Sequence, residues 1–168
     1  MFWNTLALFM FGFRSERMLG KKKYVGLLIC GSLFGFLLSN VVSPCPFKVG
    51  ASASLFALIA FQVLSFIANY ERMGPHRAYY ALIMAFMLGF ILLNDVFLAG
   101  ENVDAVGHLG GLAAGLMLSV FFYEGELNQV TQWIRWVRLP SVVLLVVSTV
   151  GMLVTVMVMP MHCGPDIC

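Results

Sequence analysis

Charged residues are scarce in this chain. Only 11% of its 168 residues are Asp, Glu, Lys or Arg, whereas 61% are hydrophobic. So few charges cannot cover the surface of a water-soluble globule, which excludes that class of protein. The stretches between the apolar runs are also too short for a separate soluble domain. The composition therefore predicts an all-α protein, a polytopic bundle of helices that spans the lipid bilayer.

Features of several other classes are missing as well. The basic residues stand in short loops without interleaved aromatic residues, so no nucleic-acid partner is expected. The apolar start, Met1 to Phe13, has neither a basic leader nor a small-residue cleavage site, so it is interpreted as a shortened span rather than a signal peptide. No metal and no cofactor are expected.

Six apolar segments are bounded by charge, Pro or Gly. All but the first are long enough to cross about 30 Å of hydrocarbon, which takes roughly 20 residues. The first segment is expected either to be interfacial or to lack upstream sequence. The segments are Phe2–Phe13, Tyr24–Val42, Val49–Ala68, Ala78–Val96, Val106–Tyr123 and Leu139–Met159. The predicted organisation is a core at 1–123, a cytoplasmic linker at 124–138, an additional carboxy-terminal transmembrane helix at 139–159 and a lumenal or extracellular tail at 160–168.

Lys and Arg distinguish the two sides of the membrane if every segment crosses. Lys48 alone falls on one side. The other side carries Arg14, Arg17, Lys21, Lys22, Lys23, Arg72, Arg77, Arg135 and Arg138. Because cytoplasmic loops carry the excess of basic residues, that second side is predicted to be cytoplasmic. The lumenal or extracellular side then carries Asp95, Glu101, Asp104 and Asp166.

Three of the four cysteines fall on the non-cytoplasmic side, where disulfides can persist. They are Cys45, Cys163 and Cys168. A bridge from Cys45 to the tail and three unpaired thiols both fit the sequence, which does not give connectivity. Cys30 lies inside a span and is interpreted as a packing residue.

His108 is the only histidine inside a predicted span. Desolvating an ionisable side chain is costly, so an intramembrane histidine indicates a functional site. Ser52 lies a few residues inside another segment that also runs inward, so both residues are predicted at the same depth near the outer surface. Contact within about 3 Å would make a nucleophile and its general base.

Small residues beside this pair allow a close approach of the two helices. They are Gly50 before Ser52, and Gly107, Gly111 and Gly115 around His108. His108, Gly111 and Gly115 share one helix face by their spacing.

These residues resemble the rhomboid family of intramembrane serine proteases. The stretch from Val49 to Leu58 is similar to the family's Gly-x-Ser-x nucleophile motif, and Gly107 to Gly115 is similar to its His-x-x-Gly-x-x-x-Gly helix. Asn4, with Phe11-Gly12, Glu16 and Gly20 after it, resembles the helix and turn that precede these motifs. The match covers residues 4 to about 122, and its motifs are specific as a set.

The resemblance implies roles for particular residues. Ser52 would be the nucleophile and His108 its general base, in a dyad without an acidic third member. The Ser52 backbone amide and the Asn4 side chain would hold the oxyanion of the tetrahedral intermediate. For Asn4, an interhelical hydrogen bond is the alternative interpretation. The substrates would be transmembrane segments of single-pass proteins, and the loop with Gly100 and the helix at Ala78–Val96 would act as gates.

The chain also departs from the family pattern. The family usually has a His four residues before this Asn and a span further upstream, so the first span of the core is expected to be missing. Ala53 stands where Gly is commoner. The sixth segment resembles the extra helix of the secretory-pathway branch, which predicts the secretory pathway or the plasma membrane, with the active site facing the lumen or exterior.

Two other functions fit parts of the sequence. A catalytically inactive rhomboid-like protein would bind transmembrane clients through the same helix surfaces without chemistry. A proton-coupled transporter would need paired buried carboxylates or broken midplane helices, and the sequence lacks both.

Overall fold

The computed structural model describes residues 2–44, 51–93, 104–123 and 133–158. These residues form helices and no strand, as the composition predicts. The α-helices are α1 (Phe2–Leu19), α2 (Lys21–Val42), α3 (Ser52–Asn69), α4 (Arg77–Leu93), α5 (Ala105–Phe122) and α6 (Trp133–Val158). A 3-10 helix at Tyr70–His76 joins α3 to α4.

Within the described ranges, four helical stretches are long and apolar enough to cross a membrane: Lys21–Val42, Ser52–Phe86, Ala105–Phe122 and Trp133–Val158. The second contains both α3 and the start of α4. The sequence predicts five crossing segments because it counts these two separately. The chain turns between them at Gly74, whose φ of +52° lies in a region that favours glycine, and Pro75 follows it.

The first and last helices extend beyond the apolar segments predicted for them. α1 continues past Phe13 to Leu19, and α6 begins at Trp133 rather than at Leu139. Pro140 therefore lies inside α6 rather than at its start, and the end of the predicted linker is helical. The reason is physical: arginine is a good helix former and can extend its charge to water from a terminal helical turn, so polarity does not mark the end of a helix.

At the centre of the bundle α2, α3 and α5 pack directly against one another, and α3 is the most deeply buried of the three. Gly111 of α5 contacts Ala53 of α3, and Gly115 contacts Ala57 one turn further on, so these two helices run parallel. α2 runs the opposite way. Its residue Ser39 bonds Asp104 just before α5, whereas Gly26 at its other end faces Phe122. The end of the bundle where α3 and α5 begin is called the Ser52 end below.

The remaining helices pack more loosely. None of the α4 side chains that the structure describes is buried, and α6 buries only Ile134 and Leu145. Cys30 of α2 is exposed, so its predicted role in packing is wrong: it lies on the outer face of that helix. Cys45, Cys163 and Cys168 lie outside the described residues, so their pairing stays a prediction.

Candidate active site

Ser52 is the first residue of α3. The first four backbone N–H groups of an α-helix have no intrahelical acceptor, so the Ser52 amide does not bond a carbonyl of its own helix. The partial positive charge of a helix N-terminus also stabilises negative charge nearby. The local fold therefore puts a hydroxyl and an amide donor of one residue at the Ser52 end of the bundle.

His108 stands in the first turn of α5 and is only 7% exposed. Its Nε2 lies 2.6 Å from the Ser52 Oγ, which is hydrogen-bonding distance. In the tautomer with a bare Nε2, the serine hydroxyl donates to the imidazole. This geometry is the one that transfer of the serine proton requires. The catalytic roles of the two residues stay a prediction.

Phe56 covers one face of the imidazole. The two rings are stacked, with centroids 4.4 Å apart and planes inclined by 12°. Phe56 lies one turn after Ser52 on α3, so both residues face α5. Sequence reasoning missed this contact, although the spacing of four from the serine was available as a signal. The ring restricts the orientation of the imidazole and shields it from lipid and water.

Two glycines of α5, one and two turns after His108, allow α3 and α5 to pack closely. A Cβ on Gly111 would collide with the Ala53 carbonyl, and a Cβ on Gly115 would collide with the backbone of Ala57. The backbones can approach this closely only because both positions lack a side chain. His108 can therefore reach Ser52 because Gly111 and Gly115 allow α5 to lie close to α3.

The other two predicted packing glycines have different surroundings. Gly107 faces the Asp104 carboxylate and, through its own carbonyl, Gly35 of α2, so it does not contact α3 in the same way as Gly111. Gly50 lies outside the described residues. Sequence reasoning also missed Gly31 and Gly35, which let α2 closely approach Ala57 and Ala53 of α3.

Asn4 lies on the exposed surface of α1. The register of α1 against α3 comes from Gln62, whose Nε2 donates to the Ser15 Oγ at 2.6 Å and to the Phe11 carbonyl at 3.2 Å. Asn4 stands 11 residues before Ser15, and Ser52 stands ten before Gln62. Gly12 of α1 lies against Tyr24 of α2, with the turn at Gly20 between them, so α1 runs opposite to α2 and parallel to α3. At about 1.5 Å per residue, this register puts Asn4 and Ser52 at nearly equal depth.

Titratable and thiol side chains do not gather into a metal centre in the part of the chain that the structure describes. No group of three or more His, Cys, Asp or Glu residues lies close enough there to hold an ion.

Fold and site together define a helical membrane protein with a hydrogen-bonded serine and histidine at one end of its bundle. The Rhomboid domain model matches residues 1–125. The chain belongs to the rhomboid family, and the resemblance stated from the motifs is confirmed. It is an integral membrane protein.

Its relatives include both active and inactive types by name. It is 30% identical over 167 residues to Rhomboid-like protease 1 of Toxoplasma gondii, an alignment that covers 99% of this chain and 56% of that protein. Rhomboid protease GluP of Bacillus subtilis (strain 168) is 31% identical over 161 residues, covering 95% of this chain and 29% of that protein.

Inactive rhomboid-related protein 2 of Caenorhabditis elegans is 30% identical over 104 residues, covering 60% of this chain and 30% of that protein. The chain therefore spans about half the length of the Toxoplasma relative, at 56%, and less of the other two. No solved structure matches it.

Proposed function

We propose that this protein is a serine endopeptidase that cleaves transmembrane segments of single-pass membrane proteins near their lumenal or extracellular end. The observation that supports this most directly is the 2.6 Å contact between the Ser52 Oγ and the His108 Nε2. The family supports it too, because rhomboid proteins act on membrane proteins within the bilayer.

The reaction needs only these two side chains for proton transfer. The Ser52 Oγ attacks the scissile carbonyl while its proton moves to the His108 Nε2. The imidazolium then gives that proton to the amine that leaves as the C–N bond breaks. Water attacks the resulting acyl-enzyme and His108 acts as base again, which releases the acid and restores Ser52. General base catalysis of this kind contributes roughly 10²–10⁴-fold.

The Ser52 backbone amide and the Asn4 side chain would stabilise the oxyanion. The position of the amide at the start of α3 supports the first donor, and the equal depth of Asn4 and Ser52 supports the second. A donor of this kind in acyl transfer is worth on the order of 10²–10³ in rate.

Replacement of Asn4 with alanine is expected to lower kcat by on the order of 10²–10³, with little change in KM, because the lost bond forms only in the transition state. The measurement is steady-state cleavage of a fluorogenic transmembrane peptide. Asn40→Ala is the matched control: this amide donates to the Phe36 carbonyl of its own helix, so kcat should stay close to wild type. A lower unfolding temperature for Asn4→Ala with unchanged kcat would instead support the interhelical hydrogen bond.

Substrate entry beside α4 is the simplest route to the site. α4 has no buried side chain among those described, and its Tyr80 ring lies 4.6 Å under the guanidinium of Arg14 in α1. That contact lies at the end of α4 away from Ser52. A helical amide is shielded in lipid, so the substrate must unwind locally, which favours Gly, Ala or Pro near its outer end.

The side of the membrane that the site faces is part of the proposal. Arg14, Arg17, Lys21 and Arg72 lie at the end of the bundle opposite Ser52. Because that end is the basic one, it is assigned to the cytoplasm, and the site to the lumen or exterior. A location in the secretory pathway or plasma membrane is supported by the additional carboxy-terminal helix α6, a layout that resembles the secretory-pathway branch of the family.

The second candidate function is an inactive rhomboid-like protein that binds transmembrane clients. The similarity to Inactive rhomboid-related protein 2 favours it. It predicts an unreactive Ser52, whereas the protease predicts an activated one.

A fluorophosphonate probe separates the two functions without a known substrate. We expect covalent labelling of the wild type in membranes, because the His108 imidazole can accept the Ser52 proton, and none of Ser52→Ala. Ser54→Ala is the matched control, since Ser54 bonds Ser32 of α2 rather than a base, and it should label like the wild type. Equal labelling of Ser52→Ala and the wild type would exclude Ser52 as the nucleophile. Absence of labelling in every form would favour the inactive function.

A further inference from the structure

Asp104 is the N-cap residue of α5. Its Oδ1 accepts a hydrogen bond from the Gly107 N–H at 3.0 Å, and its backbone carbonyl accepts one from the His108 N–H, also at 3.0 Å. A capping carboxylate stabilises the first turn of a helix and complements its dipole. His108 stands in that turn, so the position of its backbone depends directly on Asp104.

The same carboxylate oxygen also reaches another helix. The Ser39 Oγ of α2 donates to the Asp104 Oδ1 at 2.6 Å, and Ser39 is fully buried, with 0% exposure. A hydrogen bond to an ionised acceptor is shorter and stronger than one between neutral groups. The helix cap and an interhelical bond therefore share one oxygen atom, which ties the first turn of α5 to α2.

Two backbone contacts hold the same turn. A Cβ on Gly35 would lie 2.5 Å from the Gly107 carbonyl, which shows how closely α2 approaches α5 here. Gly111 contacts the Ala53 carbonyl of α3, and the Gly35 position of α2 also lies against Ala53. These glycines set how near the helices lie. Among these contacts the Ser39–Asp104 bond is the directional one, so it can fix the rotation of the turn relative to α2.

We propose that Asp104 and Ser39 act together as positioning residues for His108. They hold the first turn of α5 so that the imidazole Nε2 meets the Ser52 hydroxyl. This inference rests on the proposed function for its kinetic consequence. Proton transfer depends steeply on the donor–acceptor distance, and a misplacement of 1 Å can cost roughly 10²-fold in rate. A fraying first turn would cause such a misplacement without unfolding the bundle.

Three variants test the parts of this arrangement. Asp104→Asn keeps a carbonyl oxygen that can accept both bonds and removes only the charge. Ser39→Ala keeps the cap and removes the link to α2, whereas Asp104→Ala removes both. We expect kcat for a cleaved transmembrane peptide to stay within about threefold of wild type for Asp104→Asn, and to fall about tenfold for Ser39→Ala and by up to about 10²-fold for Asp104→Ala. KM should change little in all three.

Two controls separate positioning from general stability. Ser148→Ala makes the same chemical change on α6, where the hydroxyl bonds only its own helix, and should leave kcat unchanged. Adding Ser39→Ala to Asp104→Ala should lower kcat no further, because the bond between them is already lost. A loss for Asp104→Asn as large as that for Asp104→Ala would overturn the proposal, as would a wild-type kcat for Ser39→Ala.

Hydrogen exchange keeps the test independent of catalysis. In nanodiscs, amides at the start of α5 should exchange faster in Asp104→Ala than in the wild type or Asp104→Asn, while those of α3 exchange at unchanged rates. Unchanged exchange in Asp104→Ala contradicts the positioning role whether or not the protein cleaves anything. A wild type that neither cleaves nor labels, but shows the expected exchange, would sink the proposed protease and leave the positioning of His108 intact.

Discussion

Cleavage of a co-expressed transmembrane substrate is expected to disappear when either Ser52 or His108 is replaced with alanine. Without the hydroxyl no acyl-enzyme can form, and without the imidazole the serine proton loses the acceptor that lies 2.6 Å from the Ser52 Oγ. Loss of one member of such a pair costs on the order of 10⁴–10⁶ in kcat. The measurement is the ratio of product to substrate in membranes at matched expression of each variant.

The double variant tests whether the residues act as a unit. Removing both should cost about as much as removing either one, because each acts only through the other. Two controls fit this experiment: Ser54→Ala, whose hydroxyl bonds Ser32, and His76→Ala, whose side chain is exposed on the 3-10 helix. Both should cleave like the wild type. Equal product from Ser52→Ala, His108→Ala and the wild type would rule out the dyad.

Gly115→Ala is expected to destabilise the bundle and to reduce activity together. The added methyl group would overlap the Ala57 backbone, with that residue's carbonyl carbon only 2.8 Å from the new Cβ. Backbone atoms cannot rotate away as a side chain can, so α5 must move off α3. Overpacking of a tight interface costs about 1–3 kcal/mol. The same movement separates His108 from Ser52, so kcat should fall even at temperatures where the variant remains folded.

Gly151→Ala provides the matched control for this prediction. The substitution is identical and Gly151 also lies within a helix, but nothing lies within 4 Å of the Cβ it would gain. Its unfolding temperature in detergent should equal or exceed that of the wild type, because alanine is the better helix former. If Gly115→Ala unfolds at the same temperature as Gly151→Ala, the close contact between α3 and α5 does not carry the stability assigned to it.

Segment length and polarity predict the helices better than they predict their ends. α3 and α5 begin and end within a few residues of their apolar runs, because a spanning helix must be apolar over the thickness of the hydrocarbon. α1 and α6 each contain a turn or more of charged residues beyond the run. Hydropathy does not predict these turns as helical, because arginines near the headgroups can remain in a helix while their side chains reach water.

The candidate site could be predicted in part for a similar reason. Depth follows from position along a span, so the common level of Ser52 and His108 is readable from the sequence, and the glycines indicate a close helix contact. The depth of Asn4 is also readable from the sequence, and it agrees with the register of α1 against α3. The Asn4 side chain is exposed, so its position does not assign it a role.

Contacts between distant segments were beyond the reach of sequence patterns. Ser39 and Asp104 are separated by 65 positions, and neither belongs to a motif that points to the other. The approach of Gly35 to Gly107 is of the same kind. Such pairs depend on which faces of α2 and α5 meet, and that is decided by the packing of all three central helices at once.

The sequence by itself determined the class of protein, its helices, its family and the depth of the serine and histidine, because a bilayer leaves few ways to satisfy a backbone and makes an embedded ionisable group conspicuous. Only the tertiary structure decided that the Ser52 Oγ and His108 Nε2 lie 2.6 Å apart, that the Phe56 ring covers the imidazole and that Asp104 joins α5 to α2. Those facts depend on how far apart the packed helices lie and how each is rotated. Both quantities are set by the shapes of side chains from several helices, so no single segment of the sequence determines them.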